Sequence, residues 1–360
     1  MHYDEFTPAD WARIRDDWTA WWDGTLERPL VVINTRDPGH PPGGMNDNVV
    51  RWPVDTPPET LLDHYQGHLE TTQYHGDAFP LWWFNAGPGA MAAFLGSAVQ
   101  YAGASDWGTT WFEPLGVASL AEMQLTYDST NAWWVHCQAV MQAAVARWGD
   151  RVVLGQSDLG GNMDILASLR GTQDLLFDCF DAPDEIDRLI QQITALWLRY
   201  YDELQTIIAT GAPGTSYWAG FWSPGTGYML QSDFCYMISP EMFERFVLPD
   251  LTTICEQLAY PFYHLDGQGQ LPHLDMLLSI PNMRGIQWQP GDGQPLVDGW
   301  LDVLRRIREA GKLCQVYVDR QGAMTIAREL GGKGFQFQIV AETLTAAEAG
   351  EFVTAMREMA

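Results

Sequence analysis

The stretch HLDG, residues 264–267, combines residue types that can bind a metal or move a proton. In an extended chain, residues two apart point to the same side, so His264 and Asp266 can converge on one ion or one substrate. Imidazole and carboxylate suit zinc or another divalent ion, with Glu342 or Asp319 expected as a third ligand from a neighbouring strand end. The alternative is a hydrogen-bonded pair that performs acid-base chemistry or only orders the loop.

Other polar and aromatic residues end apolar runs and are further candidates for the site. Asp158, before a glycine turn, is predicted to act as a general base or to orient a cation, and the alternative is a helix cap. Asp233 carries the same two interpretations. The remaining candidates are predicted to bind substrate: Trp82, Asn85, Trp222, Gln287, Trp288 and Tyr317. Among 17 tryptophans, those near strand ends favour a flat or cationic ligand, although filling the core is the alternative.

The elements that must position these side chains alternate along the chain. Eight apolar runs are typical of buried parallel strands: 31–35, 80–86, 151–158, 215–222, 260–267, 284–291, 312–319 and 334–342. Amphipathic helical patterns separate the later runs. The sequence therefore predicts an α/β fold, a single (β/α)8 TIM barrel over 1–360 with its active site at the carboxyl ends of the strands.

Two additions to the barrel are predicted. Thr7 as an N-cap and Pro8 at the first helical position indicate an N-terminal helical extension within residues 1–28. The irregular segment from Gly87 to Gly149 is predicted to be a long insertion over the barrel mouth that ends in a helix. An open doubly wound sheet is the alternative, but neither GxGxxG after the first strand nor GxxxxGK[ST] is present.

Composition narrows the partners. A net charge of −26 disfavours nucleic acid, anionic membranes and highly anionic substrates, so a neutral or cationic small molecule is expected. The 5 cysteines are odd in number and form no CxxC pair, which indicates a reducing compartment. The sequence begins without the features of a signal peptide, and no apolar stretch is long enough to span a bilayer, so a cytoplasmic location is predicted.

Four segments together resemble the uroporphyrinogen decarboxylase superfamily, which includes barrel methyltransferases that act with corrinoid proteins. They are NAGPGAMAAFLG (85–96), SDLGGNMDILASLRGTQDLLFDCFDAPDEIDRLI (157–190), SDFCYMISPEMFERFVLP (232–249) and FYHLDGQGQLPHLDMLLSIPNMRGIQW (262–288). The methyltransferases bind zinc through an HxCG motif and a later cysteine. Here His264 matches the histidine, Asp266 replaces the cysteine, and residues 340–342 contain no cysteine. The arginine-containing RQAGR-like stretch of the decarboxylases is absent.

The resemblance implies a barrel enzyme, and three functions are open. The preferred expectation is methyl transfer from a small neutral or cationic substrate to a corrinoid on a partner protein or to a thiol, assisted by zinc or another divalent metal on His264, Asp266 and Glu342. The first alternative is a metal-free lyase or decarboxylase in which His264, Asp266 and Asp158 are acid and base. The second is a non-catalytic barrel that binds a ligand.

Overall fold

The structure, a computed structural model, describes residues 1–40, 47–102, 109–211, 214–340 and 342–359. Its helices are α1 (Pro8–Trp22), α2 (Pro58–Thr71), α3 (Met91–Phe94), α4 (Ala132–Trp148), α5 (Asn162–Arg170), α6 (Thr172–Asp181), α7 (Pro183–Ile208), α8 (Pro240–Phe246), α9 (Leu248–Gln257), α10 (Leu274–Ser279), α11 (Leu301–Glu309), α12 (Arg320–Leu330) and α13 (Ala346–Glu358). Its strands are β1 (Leu30–Arg36), β2 (Thr72–Gly76), β3 (Leu81–Trp83), β4 (Val99–Ala102), β5 (Thr109–Phe112), β6 (Val153–Gly155), β7 (Gly227–Gln231), β8 (Tyr260–Asp266), β9 (Gly285–Gln289), β10 (Leu313–Val318) and β11 (Phe335–Ile339).

The main sheet is mostly parallel. It has seven strands in the order β2-β1-β11-β10-β9-β8-β7, and β2 is its antiparallel member. Strands β3 and β6 form a separate parallel pair, and β4 and β5 form an antiparallel hairpin. A single bridge between Gly155 and Ser216 extends from the β3–β6 pair to the residues before β7.

The fold is mixed α/β and compatible with a barrel-like arrangement, but the pairings among the described residues do not close a barrel. Seven of the eight predicted strands are present, whereas the run 215–222 is not a strand. Thr215 pairs antiparallel with Ser223, and Gly220 turns the chain with φ of +75°, so this segment folds back on itself. On the edge of β8 that does not pair with β9, the neighbouring strand is β7, which the sequence pattern did not indicate.

Helix α1 covers the amino ends of the strands. It begins as predicted, with a capping box between Thr7 and Asp10 and with Pro8 in its first turn. The indole of Trp21 donates to the carbonyl of Phe335 at 3.1 Å, and that of Trp22 donates to the carbonyl of Trp222 at 2.8 Å. Aromatic side chains therefore fill the amino ends of these strands.

The predicted insertion contains α3, the β4–β5 hairpin and α4. Its first residues lie against the carboxyl end of β6, where the amide of Ala90 donates to the carbonyl of Asp158 at 2.8 Å. The insertion therefore begins at the carboxyl ends of the strands, where the candidate site also lies.

Candidate functional site

A layer of polar side chains crosses five adjacent strands. Hydrogen-bonded register pairs place at equivalent positions Gln231, His264, Gln287, Gln315 and Gln336. Side chains at paired positions of neighbouring strands lie on the same face. On this face of the sheet, the imidazole of His264 therefore lies between the amide side chains of Gln231 and Gln287.

Three potential ligands meet at the carboxyl end of β8. One ligand atom from each of Asp233, His264 and Asp266 lies within 4.8 Å of the others. The Nε2 atom of His264 is 3.8 Å from a carboxylate oxygen of Asp266. His264 and Asp266 therefore lie close together at the end of β8, and Asp233 joins the pair from the turn after β7.

Gly267 lets the chain turn sharply after these residues. Its φ of +81° is in the left-handed region, and a Cβ there would come within 2.9 Å of the ring of Tyr236. Glycine is the residue that adopts this conformation without strain. A small pocket opens next to Asp266 on this side, and Tyr236 and Asp292 are part of its lining.

A chain of amide hydrogen bonds determines which nitrogen of His264 faces the cluster. The Gln315 amide nitrogen donates to the backbone carbonyl of Ala219 at 3.0 Å, and Gln315 Oε1 accepts from Gln287 Nε2. This leaves Gln287 Oε1 to accept from Nδ1 of His264. Because a carbonyl oxygen only accepts, Nδ1 carries the proton and Nε2 is left as the ligand or base.

Two aromatic side chains border this group. The ring of Trp218 meets the imidazole of His264 edge to face, with centroids 5.1 Å apart and planes at 89°. Tyr317 shares a hydrogen bond with Gln287, and burial raises the pKa of its hydroxyl to about 12. The sequence places Trp218 among the tryptophans near strand ends, within the run 215–222 that the structure folds back on itself.

Asp158 lies in a buried environment close to the cluster. It accepts from the amide of Gly160 at 3.0 Å, and the Tyr228 hydroxyl is 3.5 Å from the same oxygen. Burial, assisted by the charge of Asp233, raises the pKa of Asp158 to about 7 despite these hydrogen bonds. The side chain can therefore give or take a proton near neutral pH.

The site is rich in carboxylates. Burial also raises the pKa of Asp164 to about 8. It raises the pKa of Asp266 as well, and the attraction between Asp266 and His264 offsets part of that increase. Among the described residues, no Lys or Arg forms an ion pair with Asp158, Asp164, Asp233 or Asp266. Neighbouring carboxylates without a counter-ion favour a bound cation.

Among the described residues, Glu342, predicted as a metal ligand, is not grouped with His264 and Asp266. Both of its oxygens bind Arg320, one accepting from the backbone amide at 2.7 Å and the other from Nε at 2.9 Å. Asp319 caps α12 by accepting from the amide of Gly322 at 2.7 Å. Their carboxylates are held at the start of α12, and Asp233 takes the third position beside His264.

Three predicted pocket tryptophans are core residues instead. Trp82 packs against Tyr65 and Trp148, and Trp288 packs against Trp300. The indole of Trp222 fills the space beside Gly214, at the amino ends of the strands. Their neighbours show that these side chains face helices or the closed end.

Asn85 has a local role that the sequence did not indicate. Its side-chain oxygen accepts from the amide of Gly87 at 2.9 Å, and its carbonyl accepts from Val49 at 2.7 Å. These bonds order the loop after β3.

A solved structure described as a methyltransferase from Methanosarcina mazei matches this fold with a TM-score of 0.60. The match covers 96% of this chain and 98% of that chain at 11% sequence identity. The two chains share a fold. No protein-family model matches the sequence, and no curated protein matches it either. Within the described residues, no helix is both long and apolar enough to cross a membrane.

Proposed function

We propose that this chain is an enzyme that holds a divalent metal on Asp233, His264 and Asp266 and transfers a methyl group. The donor is a small neutral or cationic molecule, and the acceptor is a corrinoid on a partner protein or a thiol. The observation that carries the proposal is the convergence of three ligand atoms within 4.8 Å. A methyltransferase fold shared over most of both chains supports it. We further propose that the strands form a (β/α)8 barrel.

The residues fit a metal held by oxygen and nitrogen, not one held by thiolates. Two carboxylates and an imidazole are ligands for zinc, manganese or iron. All five cysteines are buried. The thiol of Cys235, two residues from Asp233, donates to Ser232, and burial raises its pKa well above the usual value. In this proposal, two carboxylates and an imidazole take the place of the zinc-binding thiolates of the methyltransferases that the sequence resembles.

In this account the metal, when bound, supplies Lewis acidity toward a donor heteroatom or an acceptor thiol. Gln287 fixes the imidazole of His264, and Asp233 and Asp266 hold the ion and attract cationic donors. The methyl group would move without its bonding pair: the acceptor, a reduced corrinoid or a thiolate that has already lost its proton to solvent, supplies the electrons of the new bond, and the leaving heteroatom keeps those of the broken bond. Asp158 protonates a leaving group from a neutral donor, whereas an ammonium donor leaves as a neutral amine without that proton.

The test uses zinc-loaded protein, free cob(I)alamin or a small thiol as acceptor, and a panel of methylated amines, quaternary ammonium compounds and methyl ethers. We expect at least one donor to methylate an acceptor faster than in protein-free controls. His264→Ala should abolish the reaction and Glu342→Gln should retain it. Absence of transfer from every donor would contradict the proposal.

A metal-free lyase or decarboxylase is the second candidate. The observation in its favour is Asp158, whose pKa is raised to about 7 by burial and, to a smaller extent, by the charge of Asp233. Such a carboxyl group can act as acid or base without an ion. Full activity of protein stripped of metal by a chelator would select this candidate.

A further inference from the structure

Asp233 is the ligand of the cluster that does not lie on a strand, so something must hold it in place. His264 and Asp266 are fixed by the pairing of β8 with β7 and β9. Asp233 begins a short 3₁₀ helix, Asp233–Met237, directly after β7, and its side chain is exposed. A turn of this kind has few contacts of its own to fix the direction of a carboxylate.

The turn is held by a second carboxylate on a different helix. Asp164, in the first turn of α5, accepts from the backbone amide of Asp233 at 3.0 Å and from that of Phe234 at 2.7 Å. Each oxygen of Asp164 takes one of these bonds. Such a two-point contact fixes both the position and the rotation of the peptide that carries Asp233.

A glycine allows the two segments to approach. A Cβ at Gly161 would lie 2.0 Å from the carbonyl oxygen of Gln231 and 2.7 Å from a carboxylate oxygen of Asp164. The backbone of Gly161 has φ of −77° and ψ of 151°, which any residue adopts. The requirement for glycine is therefore the close contact with the end of β7.

We propose that Asp164 and Gly161 are positioning residues that present Asp233 to the metal. The inference rests on the proposed metal site, and neither residue is one of its ligands. Removing either contact lets the turn move, so the ion keeps His264 and Asp266 and loses the third protein ligand. Substitution of a residue that orients a metal ligand typically lowers metal affinity about 10- to 100-fold.

The test is a titration with Co²⁺ followed by visible absorption, whose intensity and position depend on the number and geometry of the ligands. We expect Asp164→Asn and Gly161→Ala to bind Co²⁺ about 10- to 100-fold more weakly than wild type. Their spectra should resemble that of Asp233→Asn. Gly161→Ala leaves every charge in place, so a loss in this variant separates positioning from electrostatic attraction.

Two controls complete the design. Asp292→Asn removes a carboxylate whose charge acts on Asp266 and which does not hold the backbone of Asp233, so it should change affinity less than Asp164→Asn does. Gly350→Ala, where a Cβ meets open space, should behave as wild type. Thermal unfolding of each variant confirms that it is folded under the titration conditions.

The outcomes separate the two proposals. If wild type gives the Co²⁺ spectrum and both positioning variants match it in affinity and shape, the role of Asp164 and Gly161 is overturned while the metal site stands. If wild type binds no Co²⁺, the metal site itself is overturned, and this inference with it.

Discussion

The side-chain oxygen of Gln287 accepts a hydrogen bond from Nδ1 of His264, and the two residues lie at paired positions of adjacent parallel strands. This contact is the last of a series that begins at the backbone carbonyl of Ala219 and passes through Gln315. A main-chain oxygen thus determines, through two amides, that Nε2 of His264 faces Asp266.

The amide series predicts an effect on metal binding from a residue that touches no ligand. Gln315→Leu removes the acceptor that orients Gln287, so the amide of Gln287 can turn and the proton of His264 is no longer fixed on Nδ1. We expect Co²⁺ affinity to fall about 10-fold.

Gln336→Leu is the matched control for that substitution. Gln336 occupies the same layer, is fully buried, and its amide has no hydrogen-bond partner within the described chain. This change should leave affinity unchanged and should not destabilise the protein, because it removes an unsatisfied polar group. Equal losses in both variants would show that the layer acts only through packing.

Asp158→Asn should stabilise metal-free protein more at pH 8 than at pH 5. Burial raises the pKa of Asp158 to about 7, whereas the carboxyl of an unfolded chain titrates near about 4. The unfolded state therefore loses its proton first, and the favourable contribution of the protonated group is lost as pH rises from about 4 through about 7. Above that range, the folded protein holds a buried carboxylate that asparagine does not have.

Thermal unfolding midpoints measure this effect. At pH 8 the variant should unfold roughly 3 to 8 °C above wild type, and the gain should be at most half as large at pH 5. A gain that is the same at both pH values would mean that Asp158 is charged in the folded protein across this range.

The tryptophans divide into two groups with different expected phenotypes. Trp288 is fully buried against Trp300, so Trp288→Ala should lower the free energy of unfolding by about 3 to 5 kcal/mol and leave metal affinity unchanged. Trp218 is partly exposed and meets His264, so Trp218→Ala should cost less stability and should raise KM for the donor. Denaturant titration and steady-state kinetics compare the two, and the reverse pattern would place Trp288 in the pocket.

Strand periodicity explains both the successes and the errors of the sequence analysis. His264 and Asp266 were found because residues two apart on a strand share a face. The same rule does not say which face is inward: Trp82 and Phe84 both contact α4, through Trp148 and His136, so the other side of β3 carries Trp83.

The third ligand depended on information that a pattern does not contain. Asp233 joins His264 because Gln231 and His264 are in register, and register follows from tertiary packing. Glu342 follows a strand as expected, yet Arg320 holds it. The run 215–222 has strand-like composition, but the chain turns at Gly220, and Thr215 pairs with Ser223 instead of with a neighbouring strand.

The most direct test of the metal site is elemental analysis of purified wild type beside Asp233→Ala, His264→Ala, Asp266→Ala and Glu342→Ala, each checked for folding. We expect about one equivalent of zinc, manganese or iron in wild type and in Glu342→Ala, and its loss in the other three variants. Well-folded wild type that contains no such metal, and takes up none when dialysed against it, would contradict the account.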